Sequence, residues 1–349
     1  MTSPFEFGIY TLADIGINPI TKQVISPEQR VDEIIALAKL ADELELDVFG
    51  VGEHHRLDYA VSSTAVTLAA IAQATKRIRL TSATTVLSTV DPVRLYEDYA
   101  TLDLISKGRA EIIAGRGAFF ESFDLFGYNP DDYDALFEEH AQLFMQLNKH
   151  EKIEQWNGQF RPAMTNVEIA PRPFQREIPL WFGVGGSIES AERAARFGRG
   201  MAIAILGGEV QRFTPLVEAY RKKAIALGHQ AEKLKIAVTG HTFIAETKEE
   251  AVNEYFPYYK NYKEAVNKQL NKPSVFSREQ YEALLPAKEA LFVGSPNEIV
   301  EKILLQHEWF GHHRFLAQMD IGGLPYKMVA KSLELFATKV IPEVRKYIK

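Results

Sequence analysis

Short apolar runs recur along the chain, and most are followed by a stretch in which apolar positions return every three or four residues. The runs Phe5–Tyr10, Val48–Val51, Ile78–Thr81, Ala110–Ala114, Leu180–Val184, Met201–Ile205, Ile236–Thr239 and Arg314–Gln318 read as strands. Their apolar character is continuous rather than alternating, the pattern of parallel strands covered on both faces. The helical stretches carry start signals. Ser26-Pro27-Glu28-Gln29 offers a capping Ser, a first-turn Pro and a reciprocating Gln ahead of the stripe Val31, Ile34, Ile35 and Ala38. Asp91-Pro92 before Val93, and Ser295-Pro296-Asn297-Glu298 before Ile299, repeat that grammar. Eight βα units predict an α/β fold, a closed (β/α)8 TIM barrel forming a single domain over residues 1–349. A doubly wound open sheet is the alternative, but no G-x-G-x-x-G follows the first strand.

Two stretches break the rhythm. Residues 157–176 contain Gly158, Pro162, Pro171 and Pro173 and read as a hairpin or excursion before strand 5. Residues 257–294, between strands 7 and 8, exceed an ordinary βα loop and carry Tyr258, Tyr259, Tyr262, Phe276 and Tyr281. A lid over the barrel mouth and plain extra packing are both open readings of this second insertion.

Composition narrows the class. A formal net charge of −6 lacks the basic excess of a nucleic-acid or anionic-membrane binder, while leaving room for one local cationic pocket. The chain has no cysteine, which removes disulfides, thiolate catalysis and Cys-ligated zinc. MTSPFEFGIY lacks a basic region followed by a long apolar one, and the run Met201–Leu206 is too short to span a bilayer, so a cytoplasmic protein is expected.

The chemistry concentrates at strand ends. Lys107–Phe119 (KGRAEIIAGRGAF) and Gly183–Arg193 (GVGGSIESAER) each read as a strand, a glycine turn and then a loop or helix start. Together they bring one fixed cation, Arg116, the backbone N–H groups near Gly185 and Gly186, and the hydroxyls of Ser187 and Ser190. A phosphate monoester is met by such a set: a guanidinium fork for its charge and amides at a helix start for its oxygens. A salt bridge from Arg116 to Glu121 or Asp124 is the plainer reading of that residue. Leu80–Leu87 (LTSATTVL) ends the third strand with small side chains beside which a flat ring could approach the backbone.

Gly50–Arg56 (GVGEHHR) ends the second strand and carries Glu53, His54 and His55 to the same face. Histidine can exchange protons near neutrality, and adjacent residues on an extended chain point to opposite sides, so one of the two histidines at most enters the site. Glu53, His54, His55, His241 and Asp320 all fall near strand ends, where a metal site would lie. The first strand offers only Glu6 in place of a His-x-His pair, and no metal is expected.

In these residues the chain resembles the bacterial luciferase-like flavin monooxygenase family. The markers are Glu53–His55, Asp91-Pro92-Val93-Arg94 with Glu97-Asp98, Ser106–Arg109, Gly115-Arg116-Gly117, Phe126-Gly127 and Gly185–Ser187. They lie in register from Phe5 to about Tyr347, and the likeness weakens in the two insertions. The resemblance implies a barrel that binds FMN, its phosphate held by Arg116, Gly185, Gly186, Ser187 and Ser190. It places the flavin ring across Ala83 and Thr84, where the family often has a non-proline cis peptide, and makes His54 the catalytic histidine. Gly115 and Gly186 stand where luciferase carries a cysteine and an acidic residue, so a non-luminescent member is expected.

The implied activity is a monooxygenase that uses reduced FMN and O2 on a small organic substrate. A separate NAD(P)H:flavin reductase would supply the reduced flavin, and the chain would form a homodimer through its second and third helices. Hydride transfer with a deazaflavin ranks below this. Its long anionic tail calls for extra cations, whereas Glu189, Glu192 and Gly207-Gly208-Glu209 supply none. A flavin-binding protein without turnover is the third reading, against which His54 argues.

Overall fold

The computed structural model describes residues 4–117, 119–230 and 234–348. The first three residues of the amino-terminal stretch, and Ala118 of the Lys107–Phe119 segment, therefore lie outside the described residues. Eight parallel strands close into a barrel: β1 (Glu6–Thr11), β2 (Val48–Val51), β3 (Arg79–Ser82), β4 (Ala110–Gly115), β5 (Leu180–Val184), β6 (Gly200–Ala204), β7 (Ile236–Ile244) and β8 (Arg314–Gln318). Each pairs with the next, and β8 returns to β1, with Tyr10 in register with both Gly50 and Gln318. The expected strands are thus the observed ones within a residue or two, except that β7 runs on to Ile244. Beyond Ser82 the third strand is interrupted at a cis Ala83–Thr84 peptide and resumes as Thr85–Val86, which pairs with the end of β4.

Helices follow the strands and cover the sheet. In α1 (Pro27–Glu43) the Ser26 hydroxyl accepts from the Gln29 amide as its cap. The expected reciprocal arm is absent because the Gln29 side chain donates to Glu33 instead. α2 (Thr64–Ala74) follows β2, and α3 (Pro92–Ser106) follows the third strand, capped by the Asp91 carboxylate at Val93 N and Arg94 N.

The two breaks in rhythm resolve differently from the reading above. A hairpin needs two flanking strands, so Gly158 and Pro162 mark only its turn. The antiparallel strands are Lys152–Trp156 and Met164–Glu168, and the excursion begins five residues before 157. Nor is 257–294 a loop from its start, because Pro257 lies inside a helix of 22 residues, Lys248–Gln269. The short helix Arg278–Glu282 and the strand Phe292–Gly294, which pairs with the end of β7, complete the segment. Burial explains why the proline is tolerated: Tyr255, Tyr258 and Tyr259 anchor the helix, and Tyr259 packs with Phe276 and Tyr281. Four of the five aromatics singled out as lid candidates are therefore buried packing groups, and only Tyr262 is partly exposed.

Inside the barrel, the inward residues stack in layers. Tyr10, Val48, Ile113, Trp181, Ala202, Ala237 and Leu316 form an apolar cluster. On the amino-terminal side of it, Arg314 bonds Glu111 through both terminal nitrogens and Glu6 through Nε at 2.8 Å, with its guanidinium 4.4 Å over the Trp181 ring. All three charged residues are buried. Replacing Arg314 by leucine leaves the two buried carboxylates with only the partly exposed Arg79, 2.9 Å from Glu6 and 3.8 Å from Glu111, and the expected loss is about 3 kcal/mol of folding stability. Chemical denaturation checks this, and a loss below about 1 kcal/mol would show that water compensates the carboxylates.

Candidate active site

The carboxyl ends of β4 and β5 build a cationic pole. Arg116 follows the last residue of β4, and its Nη2 donates to the Ser190 hydroxyl at 2.8 Å. The Ser190 and Ser187 hydroxyls are 2.8 Å apart, and Ser187 caps α6 (Ile188–Arg196) by accepting from the Ser190 amide at 3.2 Å. A side chain built on Gly185 or Gly186 would meet nothing within 4 Å, so the backbone there faces open space. Gly186 has φ +144°, a conformation that favours glycine. Two hydroxyls, a guanidinium and a helix amino terminus thus border one open, glycine-walled space, a donor set suited to a phosphate.

Arg116 does not pair with Glu121 or Asp124. Its Nη1 donates to Asp134 Oδ1 at 2.5 Å, and the guanidinium lies 4.7 Å over the Tyr133 ring. Asp134 also accepts from Arg193 Nη2 at 2.8 Å, so one carboxylate spans two guanidiniums. Asp134 comes from the start of α5 (Tyr133–Lys149), 18 residues beyond Arg116, and no local pattern announces that pairing. Arg193 was also missed, although the three-residue spacing Ser187, Ser190, Arg193 along α6 is a signal that could have found it.

Ala83 and Thr84 lie inside the mouth among small strand ends. A Cβ on Gly50 would sit 3.0 Å from Ala83 Cβ, one on Gly183 3.1 Å from Thr84 Cγ2, and one on Gly115 2.6 Å from Thr84 Oγ1. The glycines are required by this close approach. At Gly115 the Thr84 side chain takes the room that a larger residue would fill.

His54 and His55 diverge as the alternation of an extended chain demands. His55 Nε2 is 2.9 Å from Glu53 Oε1 and its ring packs edge-on to Phe126, while Glu53 Oε2 accepts from Val86 N. That pair braces the end of the third strand. His54 Nδ1 is 3.2 Å from Glu121 Oε1, and its ring stacks on Tyr59 with centroids 4.0 Å apart. Facing a carboxylate, Nδ1 is placed to donate, which leaves Nε2 as the ring nitrogen outside that contact. Burial pushes the Glu121 carboxyl upward, but the hydrogen bond from His54 and the charge of Arg56 outweigh it and hold it below its usual value. Glu121 begins the short helix α4 (Glu121–Phe126) and lies 67 residues from His54. It was read above as a partner for Arg116; it is the partner of the histidine.

Opposite the cationic pole, β7, β8 and β1 carry His241, Gln318 and Tyr10 to the mouth, where the Tyr10 hydroxyl donates to Gln318 Oε1 at 3.0 Å. Beside them Asp320 bonds Arg30 at 2.6 Å, and Asp14 is pushed up to about 6 by burial, against the pull of Arg30. Among the described residues, no three His, Asp or Glu side chains are grouped to hold a metal ion. No helix among them is long and apolar enough to cross a membrane.

Comparison with known proteins finds relatives over most of the chain. The oxygenase component of the flavin-dependent trigonelline monooxygenase of Acinetobacter baylyi is 25% identical over 341 residues, covering 90% of each chain. The N-acetyl-S-alkylcysteine monooxygenase of Bacillus subtilis is 30% identical, covering 77% of this chain and 80% of its own. Among solved structures, the monooxygenase RslO1 of Streptomyces bottropensis superposes with a TM-score of 0.83 at 27% identity, over 97% of this chain and 99% of its own. The oxygenating constituent of 3,6-diketocamphane monooxygenase from Pseudomonas putida, solved with FMN, shares the fold at a TM-score of 0.77 and 20% identity, over 97% and 98% of the two chains. The family model described as luciferase-like monooxygenase matches residues 5–313, and the chain belongs to that family.

Proposed function

We propose that this chain is the oxygenase of a two-component system, in which FMN, reduced by a separate NAD(P)H:flavin reductase, and O2 oxidise a small organic substrate. The observation that carries the reading is the cationic pole: Arg116, Ser187 and Ser190 joined around the open backbone at Gly185 and Gly186. Those five residues would hold the phosphate, and Ala83 with Thr84 would floor the flavin ring. The cofactor supplies the redox chemistry and the activation of O2. His54, oriented by Glu121 and Tyr59, presents Nε2 as the group that takes or returns a proton. FMN suits this site better than a deazaflavin with its longer anionic tail, because Glu189 stands in the first turn of α6 and Asp134 beside Arg116.

The name of the trigonelline relative, an oxygenase component, supports the separate reductase. A homodimer through α2 and α3 is supported by the composition of α2 (TAVTLAAIAQA), which carries no charged residue, and by the exposure of Val66, Leu104 and Ile105. A cytoplasmic location fits an oxygenase fed by a diffusible reduced flavin.

Anaerobic titration with reduced FMN tests the reading directly, and failure to bind either reduced or oxidised FMN would sink it. The same titration on Asp134→Asn yields a second expectation. Removing the carboxylate that spans Arg116 and Arg193 frees Arg116 for a phosphate, while Arg193 stays paired with Glu138 at 2.9 Å. Because the Asp134 side chain is 64% exposed, the gain is modest, up to about fivefold tighter binding. Weaker binding in this variant would mean that Asp134 positions Arg116 rather than competing for it.

A further inference from the structure

Two buried polar atoms on the wall opposite the cationic pole have no hydrogen-bond partner. Gln318 is 1% exposed and its Nε2 is unpartnered, and His241 is 2% exposed with Nε2 in the same state. Unmade hydrogen bonds inside a protein cost stability, so each such atom calls for a reason. The two side chains are in register on neighbouring strands, His241 on β7 and Gln318 on β8. With Asp320, two residues beyond Gln318, they belong to the inward face that continues Leu316 and Ala237 of the inner cluster. Tyr10 fixes the amide: its hydroxyl donates to Gln318 Oε1, which leaves the two N–H groups of Nε2 as the free donors.

The circular strand order sets where this wall lies. Arg116 and Ser187 follow β4 and β5, while Gln318 and Tyr10 belong to β8 and β1, each four strands away and so across the mouth. Aromatic rings border the wall, with Tyr262 and Tyr259 edge-on to His241 at 4.9 and 5.7 Å.

Charge selects the ligand. Burial, with help from Lys263, lowers His241 to about 3 against the pull of the neighbouring Gln318 side chain, so its imidazole is neutral, and burial pushes the Tyr10 hydroxyl up to about 12. The Asp320 carboxylate, whose Oδ1 is also unpartnered, stands two residues beyond the end of β8 and disfavours an anion, and Arg30 is already engaged with it. Lys263, half-buried on the helix above, is the cation within electrostatic reach of His241.

We propose that Gln318, braced by Tyr10 and flanked by His241, anchors the substrate by donating from Nε2 to an uncharged acceptor, a carbonyl oxygen or a ring nitrogen, on an otherwise apolar small molecule. The inference rests on the flavin lying on the β3–β5 side, since that leaves this wall to the substrate.

The test measures the affinities of acetophenone, its hydrocarbon counterpart ethylbenzene and anionic benzoate for the FMN-loaded protein, by ligand-observed NMR. The expected result is acetophenone bound about tenfold tighter than either, the contribution of one or two buried donors. The preference should fall to within about threefold in Gln318→Leu and in the bulkier-matched Gln318→Met, and survive in His241→Gln, which keeps a donor. Circular dichroism and FMN affinity, both expected unchanged, establish that each variant is folded with its flavin site intact. Equal affinity for acetophenone and ethylbenzene in the wild type overturns the proposal, as does tighter binding of benzoate or a preference that persists in both Gln318 variants. Repeating the titrations without FMN separates the two readings, because loss of flavin binding with the probe preference retained sinks the cofactor assignment alone.

Discussion

Replacing Arg116 by alanine is expected to weaken the binding of reduced FMN by about 10- to 100-fold, the value of hydrogen bonds made to a charged group. The expectation follows from the position of the guanidinium, held between Ser190 and Tyr133 at the border of the open glycine backbone. Lysine should recover only part of the loss. It restores a charge but neither the planar fork that meets two phosphate oxygens nor the stacking on Tyr133. Stability should change by less than about 1 kcal/mol, because Arg116 is partly exposed and its ion pair with Asp134 is screened by water. Titration by fluorescence, with a thermal melt alongside, measures both quantities. Unchanged affinity would mean that the phosphate lies elsewhere, and a large loss of stability would make Arg116 a structural residue.

Replacing His54 by alanine should lower oxygen-dependent turnover by about 10²–10⁴-fold while leaving flavin affinity within a few fold, the pattern of a lost proton-transfer group. His54 has the arrangement this role needs: Glu121 at Nδ1 fixes the tautomer, and stacking on Tyr59 fixes the ring plane. Glu121→Gln keeps a hydrogen-bonding group at Nδ1 but removes its charge, so a loss of about tenfold is expected, as for other groups that orient a histidine from behind. Rapid mixing of the protein, loaded with reduced FMN, with air-saturated buffer follows the rate of reoxidation. A His54→Ala protein that reoxidises at the wild-type rate, with substrate oxidation intact, would remove His54 from the chemistry. A parallel loss in His55→Ala is not expected, since His55 faces Glu53 and Phe126.

Much of this protein is legible along the chain because its signals are local. A capping serine before Pro27, an aspartate before Pro92 and continuous apolar runs each act through the backbone within a few residues, and each has the structure expected of it. The glycines at 185 and 186 mark an open turn before α6 for the same reason. Where local signals were over-read, tertiary packing explains the difference. Pro257 looked like an element boundary, yet the buried ring cluster around Tyr255 and Tyr259 holds one helix through it. Gly158 and Pro162 marked a turn, but the strands flanking it begin before and end beyond that turn.

The amino-acid sequence by itself determined the eight βα units, the helix starts and the glycine–arginine–serine set that points to a phosphate. Each unit, helix start and segment of that set follows from local spacing, the range over which helix and strand periods act, while the meeting of Arg116 with Ser190, 74 residues away, needs the fold. Only the tertiary structure decided which side chains meet. His54 with Glu121, Arg116 with Asp134, Arg314 with Glu6, and Tyr10 with Gln318 lie 67, 18, 308 and 308 residues apart. Pairing of β8 with β1 brings the last two pairs together, and the packing of the helices Glu121–Phe126 and Tyr133–Lys149 over the strand ends brings the first two; no periodicity within a single element encodes either.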